Sequence, residues 1–309
     1  MDGVAMKKRS SSYVWLDNKM MKAEDAKVPI LTHSMQYGSG MFEGIRTYET
    51  EKGAAIFRLD EHVKRLEGSM KVYSMNLAYS QGQIKEAIIK TVKANGLRSC
   101  YIRPFAFYND ANIGVSAFGK KVSLFIAALP FGRYFGGAEK GIRCKVSSWR
   151  RINSGILPVE AKASGNYLNS VIANSEARAV GFDEAILLSY DGYVAEGPGE
   201  NIFLVKDNIL LTPDRSSDIL LGITRDSVIK IAESMGIEVK ERLVHREELC
   251  TADELFFAGT AAEITPITNV DGISVGAGKV GPITKMLAQK FDDIVHGRDR
   301  EFEHWLTYI

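Results

Sequence analysis

The stretch Ile186–Pro213, ILLSYDGYVAEGPGENIFLVKDNILLTP, decides the fold. Asp191-Gly192 lies between the strand-like runs ILLSY and YVAEG, and an Asp-Gly pair between apolar runs is a strong hairpin signal. A second hairpin joins NIFLV to ILLTP. Working outward, a strand is predicted over 141–147 and a helix over 167–180 that stops at Gly181. On the other side, Thr224 is the expected cap of a helix over 225–235, with Val228, Ile231 and Met235 facing inward and Gly236 as the stop. The last helix opens at Pro282 and carries Ile283, Met286, Leu287, Phe291 and Ile294. Strands in the middle with helices around them make this part α+β.

The first third reads strand, loop, helix, helix, strand, strand. Val63, Leu66, Met70, Tyr73 and Leu77 recur at helical spacing, which predicts a helix over 61–77 behind Asp60. Ser80 and Gln83 form a capping box for a second helix, with Ile84, Ile88 and Val92 inward and Gly96 closing it. Strands follow at 99–108 and 122–129. The segment 130–139, PFGRYFGGAE, has linker composition. With 309 residues, the chain is long enough for two domains at roughly 150 residues each. The expected division is a first domain over 1–129, a loop over 130–139 and a second domain over 140–309.

Composition narrows the function. A net charge of +1 gives no field directed at nucleic acid or an anionic membrane, and no apolar run approaches a membrane span. The basic start MDGVAMKKRSSS has no apolar segment after it, which argues against a secretory signal, and Met6 offers an alternative start. The expectation is a cytoplasmic protein. Cys100, Cys144 and Cys250 are odd in number and widely spaced, which suits neither a disulfide framework nor a thiolate metal site. Alternation in Ile142-Cys144-Val146 makes Cys144 a small core residue. The five histidines form no metal-binding pair, so no metal is expected.

Two motifs mislead. Gly276–Gly281 matches GxGxxG before a helix, but only 28 residues follow. That leaves no room for the further βαβ units of a dinucleotide fold, so a glycine-rich turn is the better reading. Gly272–Gly276 matches GxSxG, yet a hydrolase elbow needs an immediate strand-to-helix turn, and Pro282 opens the next helix several residues later.

Four short segments carry chemistry when taken together. Glu160-Ala-Lys162-Ala-Ser-Gly-Asn-Tyr167 puts a lysine among small residues that leave room for a flat aromatic cofactor. Glu196-Gly-Pro-Gly-Glu-Asn201 ends a hairpin on a carboxylate able to pair with a ring nitrogen and keep it protonated. Leu221-Gly-Ile-Thr-Arg225 offers backbone N–H groups and a hydroxyl at a helix start, which suits a phosphate. Ala258-Gly-Thr-Ala-Ala-Glu-Ile-Thr-Pro266 could bind an anion through its N–H groups. Each segment alone has a bland reading: a solvated lysine, a Gly/Pro turn, a plain cap, a tight loop.

In this order the segments resemble the fold-type IV enzymes that use pyridoxal 5'-phosphate (PLP), and among them the branched-chain aminotransferases. The likeness runs from about Tyr13 to Trp305-Leu306. It includes Tyr37-Gly-Ser-Gly-Met-Phe-Glu-Gly-Ile-Arg-Thr-Tyr48 and Tyr101-Ile-Arg-Pro104. The resemblance implies a small α/β domain and a larger domain built on a β pseudo-barrel surrounded by helices. It implies that PLP is carried as a Schiff base on Lys162, with Tyr167 at the cofactor's 3-oxygen and Glu196 at its ring nitrogen. Arg65, Ile223, Thr224 and Thr260 would hold the phosphate. It further implies a homodimer or higher homo-oligomer.

Substrate binding is partly legible without the family. Tyr101, Arg103, Phe105 and Phe107 share one strand face by the two-residue period. The resemblance assigns Tyr101, with the N–H groups of Thr260 and Ala261, to the substrate α-carboxylate. It assigns Arg103, helped by Tyr134, to the distal carboxylate of glutamate or 2-oxoglutarate. Phe42, Tyr167 and, from a partner subunit, Tyr37 and Val115 would wall an apolar pocket for leucine, isoleucine or valine. The alternatives within the same fold are a D-amino acid or (R)-amine transaminase and aminodeoxychorismate lyase. From another class, a non-catalytic carrier of PLP or another small molecule remains open.

Overall fold

The computed structural model of the chain describes residues 11–132, 134–135 and 140–309. The alternative start at Met6 and five positions of the expected linker, 133 and 136–139, lie outside the described residues. The chain divides into two compact units: one ends at Gly132 and takes in Val295–Ile309, and the other runs on to Ile294. The C-terminal tail therefore departs from the expected second domain. Strand Leu306–Tyr308 pairs antiparallel with Gly53–Phe57, and those ladder hydrogen bonds hold the tail in the first unit.

Among the described residues of the first unit, eight strands form one antiparallel sheet. Its order is Leu306–Tyr308, Gly53–Phe57, Ile45–Thr50, Cys100–Tyr108, Val122–Pro130, Tyr13–Leu16, Lys19–Lys22, with Gly40–Phe42 also on Cys100–Tyr108. The short strands between residues 40 and 57 have no counterpart in the sequence reading, because at three to six residues each they carry too few alternations to count. Glycine makes them possible beside large rings. A Cβ on Gly40 would overlap the Phe105 ring, and one on Gly44 would overlap the Tyr101 hydroxyl.

The capping-box helix is present as Gln81–Ala94, with both Ser80 and Gln83 bonds made and Ile84, Ile88 and Val92 buried. The helix before it is shorter than expected, Leu59–Val72 instead of 61–77. Ser74 adopts a left-handed φ of 54°. The N–H groups of Met75 and Ser74 then turn back to Met70 O at 2.9 Å and Lys71 O at 3.1 Å. That is a Schellman stop built on serine instead of the usual glycine, so no glycine marks it in the sequence.

In the second unit six strands close into a ring. Ile142–Arg150 pairs with Glu184–Leu188, then come Val194–Glu196, Asn201–Lys206, Glu254–Gly259 and Glu263–Val270, which returns to Ile142–Arg150. Both expected hairpins are there, the second turning on Asp207 and Asn208 at φ of 50° and 64°. Ala185 and Leu187 pack on Ala173 and Ala177 of helix Tyr167–Ala179. The alternate residues Ile186 and Leu188 join Cys144, Ile202, Leu204 and Phe257 on the ring's other face. The α+β class with a pseudo-barrel is thus the observed one.

Two helix starts in this unit differ in a way that matters for function. Helix Ile223–Ser234 begins two residues earlier than expected: Gly222 is its cap and Thr224 lies inside the first turn. Helix Pro282–Val295 follows the misleading GxGxxG. Its first amides are already taken, since Ile283 N and Thr284 N donate to Glu254 Oε1 and Oε2 at 3.0 and 2.7 Å. A carboxylate sits where a nucleotide phosphate would have to be, and Gly276 and Gly278 serve turns at positive φ. Among the described residues no helix is long and apolar enough to cross a membrane.

Candidate active site

In the second unit Lys162 and Tyr167 meet: Nζ donates to the phenol oxygen at 2.7 Å. The turn between them is shaped by Asn166, whose amide donates to Pro158 O and Ala161 O at 3.1 and 3.3 Å. Ala161 and Ala163 are buried on either side of the lysine, while Lys162 itself is half-buried. Tyr167 then opens the helix Tyr167–Ala179, which fixes its ring relative to Lys162.

Glu196 is 5% exposed at the ring's closing pair. Its Oε2 accepts from Asn201 Nδ2 at 3.0 Å and from Leu220 N at 3.1 Å. Arg151 Nε stands 2.8 Å from Oε1, an ion pair by distance whose N–H is not lined up for a hydrogen bond. Burial pushes the Glu196 carboxyl above the usual glutamate range, and the charges of Arg151 and Lys162 and the Leu220 amide pull part of the way back. Asn201 Nδ2 also donates to Leu220 O at 2.8 Å. A Cβ on Gly222 would overlap Asn201 Oδ1, so the start of helix Ile223–Ser234 is built against this asparagine. Ile223 and Thr224 are buried in its first turn. Thr260 and Ala261 occupy the turn after strand Glu254–Gly259, half-buried. Tyr134 is more exposed and lies edge-on to Phe135 with 4.7 Å between centroids.

In the first unit Phe42, Tyr101 and Arg103 form one cluster. Arg103 Nη2 donates to the Tyr101 hydroxyl at 2.8 Å, and the guanidinium lies 4.5 Å from the Phe42 ring centroid. The shared strand face expected for Tyr101 and Arg103 is therefore real. Arg65 is tied to Glu43 beside Phe42. Tyr37 and Val115 are exposed, Val115 at 81%. Both touch His33: the Tyr37 ring lies 4.7 Å from the imidazole by centroids, and Val115 O is 3.3 Å from Nε2.

Sequence reading missed Arg151, Asn201, Glu200, Glu43 and His62. Asn201, Glu200 and Glu43 stand inside the quoted motifs, where no spacing distinguishes them from their neighbours. Arg151 follows a strand end with no pattern to mark it.

A profile of the family described as Amino-transferase class IV matches residues 40–270. The chain belongs to the class IV aminotransferases. It is 44% identical over 307 residues to a branched-chain-amino-acid aminotransferase of Escherichia coli (strain K12), covering 98% of this chain and 99% of that one. A branched-chain aminotransferase from Thermobaculum terrenum, solved in its PLP form, superposes with a TM-score of 0.90 at 39% identity, over 97% of this chain and 99% of that one. A T.th. branched-chain amino acid aminotransferase complexed with N-(5'-phosphopyridoxyl)-L-glutamate gives 0.93 at 43% identity, over 97% of this chain and 99% of that one. This class IV chain is therefore a PLP-dependent aminotransferase of fold type IV, and its likeness to the branched-chain group extends over nearly its whole length. Among the described residues, no group of three or more His, Cys, Asp or Glu side chains could hold a metal ion.

One carboxyl next to the site has a testable signature. Glu200 is buried, accepts its neighbour's Gly199 N–H at 3.0 Å, and faces the charges of Glu184 and Glu196. Burial first, then Glu184, push its carboxyl up to about 8. A carboxyl raised in the fold binds its proton more tightly than in the unfolded chain. Its stabilisation is full below the ordinary glutamate range and is lost as pH rises through the folded-state value. The melting temperature should therefore fall between about pH 5 and about pH 8. Glu200→Gln, neutral throughout, should flatten that fall in thermal melts across the range. An equally steep fall in the variant would place the titration on another group.

Proposed function

We propose that this chain transfers the amino group of leucine, isoleucine or valine to 2-oxoglutarate, using PLP carried on Lys162. The observation that carries the reading is the Lys162–Tyr167 hydrogen bond at 2.7 Å in the unit that also holds the buried Glu196. An amine, a phenol and a sequestered carboxylate are the three groups a pyridine aldehyde needs, and the donor set suits no metal. Helix Ile223–Ser234, whose cap Gly222 has no side chain to close it, supplies the phosphate end with Thr224. Thr260 adds a hydroxyl there, and Arg65 of the first unit adds a guanidinium.

PLP, when bound, supplies an electron sink for charge developing at the substrate Cα. Lys162 removes the Cα proton and returns it at the cofactor's C4' carbon, with Tyr167 orienting the amine and the 3-oxygen. Glu196, ionised when it faces a protonated ring nitrogen, keeps that proton in place. Tyr101 and the Thr260 and Ala261 amides take the α-carboxylate. Both half-reactions use one set of residues in turn, which gives ping-pong kinetics. Support for the substrate class comes from the branched-chain relatives' names and from the T.th. structure holding a phosphopyridoxyl-glutamate.

We also place the chain in the cytoplasm and in a homodimer or higher homo-oligomer. Val115 and Phe118 are 81% and 99% exposed on one loop, and Leu168 and Val171 are exposed on one helix. Apolar groups so placed suggest a covered surface, and Tyr37 and Val115 would serve a neighbour's pocket.

Three measurements test these statements. In assays with 2-oxoglutarate, leucine, isoleucine and valine should outrun D-amino acids and (R)-amines, and Lys162→Ala should lose at least ~100-fold in rate. A preference for D-amino acids or amines would overturn the substrate class, and a near-native Lys162→Ala would overturn the lysine's role. Arg103→Ala should cost 2-oxoglutarate roughly 10- to 150-fold in catalytic efficiency through a lost charge-assisted bond. Leucine's half-reaction, followed separately by cofactor absorbance, should change far less, and equal losses would sink dual recognition by Arg103. Light scattering should give a mass of at least two chains, against which a fully active monomer would count.

A further inference from the structure

Glu43 is 0% exposed, yet it carries a carboxylate on a chain segment next to Phe42. Three hydrogen bonds converge on it. His62 Nδ1 reaches Oε2 at 2.7 Å, and Arg65 grips both oxygens, Nε to Oε1 at 2.7 Å and Nη2 to Oε2 at 2.8 Å. His62 and Arg65 stand three residues apart on helix Leu59–Val72, so one face of that helix presents both to the same acid. The backbone of Glu43 is pinned as well, since its N–H donates to Pro104 O at 3.0 Å. The carboxylate is thus fixed to the central strand, and the guanidinium is fixed to the carboxylate.

Burial alone would push the Glu43 carboxyl up, but Arg65 and His62 reverse this and hold it far below the usual range. The three bonds therefore favour its anionic form. A buried ion pair is a poor device for stability, because desolvation offsets most of the attraction. What a two-point grip does supply is orientation: a planar guanidinium held through two of its nitrogens has lost its rotamer freedom before any ligand arrives.

We infer that Glu43, steadied by His62, is a positioning residue that sets the Arg65 guanidinium to receive the cofactor's phosphate. The inference rests on the reading of Arg65 as a phosphate ligand, and the test separates the two.

The full-length enzyme is stripped of cofactor and titrated, by absorbance, with PLP and with pyridoxal, which lacks the phosphate. The quantity of interest is the ratio of the two affinities. Arg65→Met should lower that ratio; an unchanged ratio overturns the phosphate reading whatever Glu43 does. Glu43→Gln should lower it by about 10- to 100-fold, the worth of a lost charge-assisted contact, while pyridoxal binding stays nearly constant. Added to Arg65→Met, the same substitution should lower the ratio no further, since Glu43 acts only through Arg65. Glu43→Asp, which keeps the charge on a shorter arm, should fall between. If Glu43→Gln does not fold, Glu43→Asp and the double variant, which removes both charges together, carry the comparison. A normal ratio in the Glu43 variants beside a lowered one in Arg65→Met would overturn the inference alone. So would equal losses for PLP and pyridoxal, the mark of a merely structural residue.

Discussion

Closure of the six-strand ring at Glu196 and Asn201 is the contact on which the second unit depends. The turn between them, Gly197-Pro198-Gly199-Glu200, closes with Gly197 N on Glu200 O at 2.7 Å. Closing the sheet there takes a carboxylate out of water, which costs several kcal/mol unless it is matched. Arg151, Asn201 and the Leu220 amide provide the match. The same Asn201 amide also holds Leu220 O, and Gly222 fits against its oxygen. Sheet closure, the buried acid and the start of helix Ile223–Ser234 are therefore one construction. A change to Asn201 would disturb all three, whereas a change to Arg151 would disturb only the acid's charge balance.

Helix starts show how identical local features diverge by context. Both Ile223–Ser234 and Pro282–Val295 follow glycine, and a helix start in general leaves its first-turn amides without partners inside the helix. At Pro282–Val295 the Glu254 carboxylate already accepts from those amides. At Ile223–Ser234 the cap is a bare glycine. A glycine pattern alone does not separate the two; the residue that takes the first amides of Pro282–Val295, Glu254, lies 27 positions before Gly281 in sequence. Local motif reading has no access to a partner at that distance.

The same limit explains what was legible elsewhere. The two hairpins, the Ser80 capping box and the Tyr101–Arg103 face depend on neighbours within a few residues, and all are present. The helix expected over 61–77 is too long because a serine, not a glycine, takes the left-handed stop. The tail at Leu306–Tyr308 and the strand Gly40–Phe42 depend on long-range pairing that no local period records, whereas Ile45–Thr50 and Gly53–Phe57 form a local hairpin too short to show a period. Motif order, by contrast, pointed to the family because spacing along the chain is itself what relatives share. Roles such as those of Glu43 and Arg151 needed coordinates, since each is defined by a partner and not by a pattern.

The buried acids finally separate by partner, not by depth. Glu43 and Glu200 are both withdrawn from water, and burial raises both. Glu43 meets a guanidinium through two bonds and an imidazole through a third, so it stays ionised. Glu200 meets a backbone N–H and two like charges, so it holds its proton to about 8. Glu196 lies between these cases, with one ion pair and two neutral donors, and its carboxyl is raised. An acid so balanced is one whose charge a cationic ring nitrogen can settle. Glu43 is already paired on both oxygens, and Glu200, pushed up to about 8, has Glu184 as its strongest charged neighbour instead of a cation. Of the three, Glu196 alone combines a single ion pair with two neutral donors.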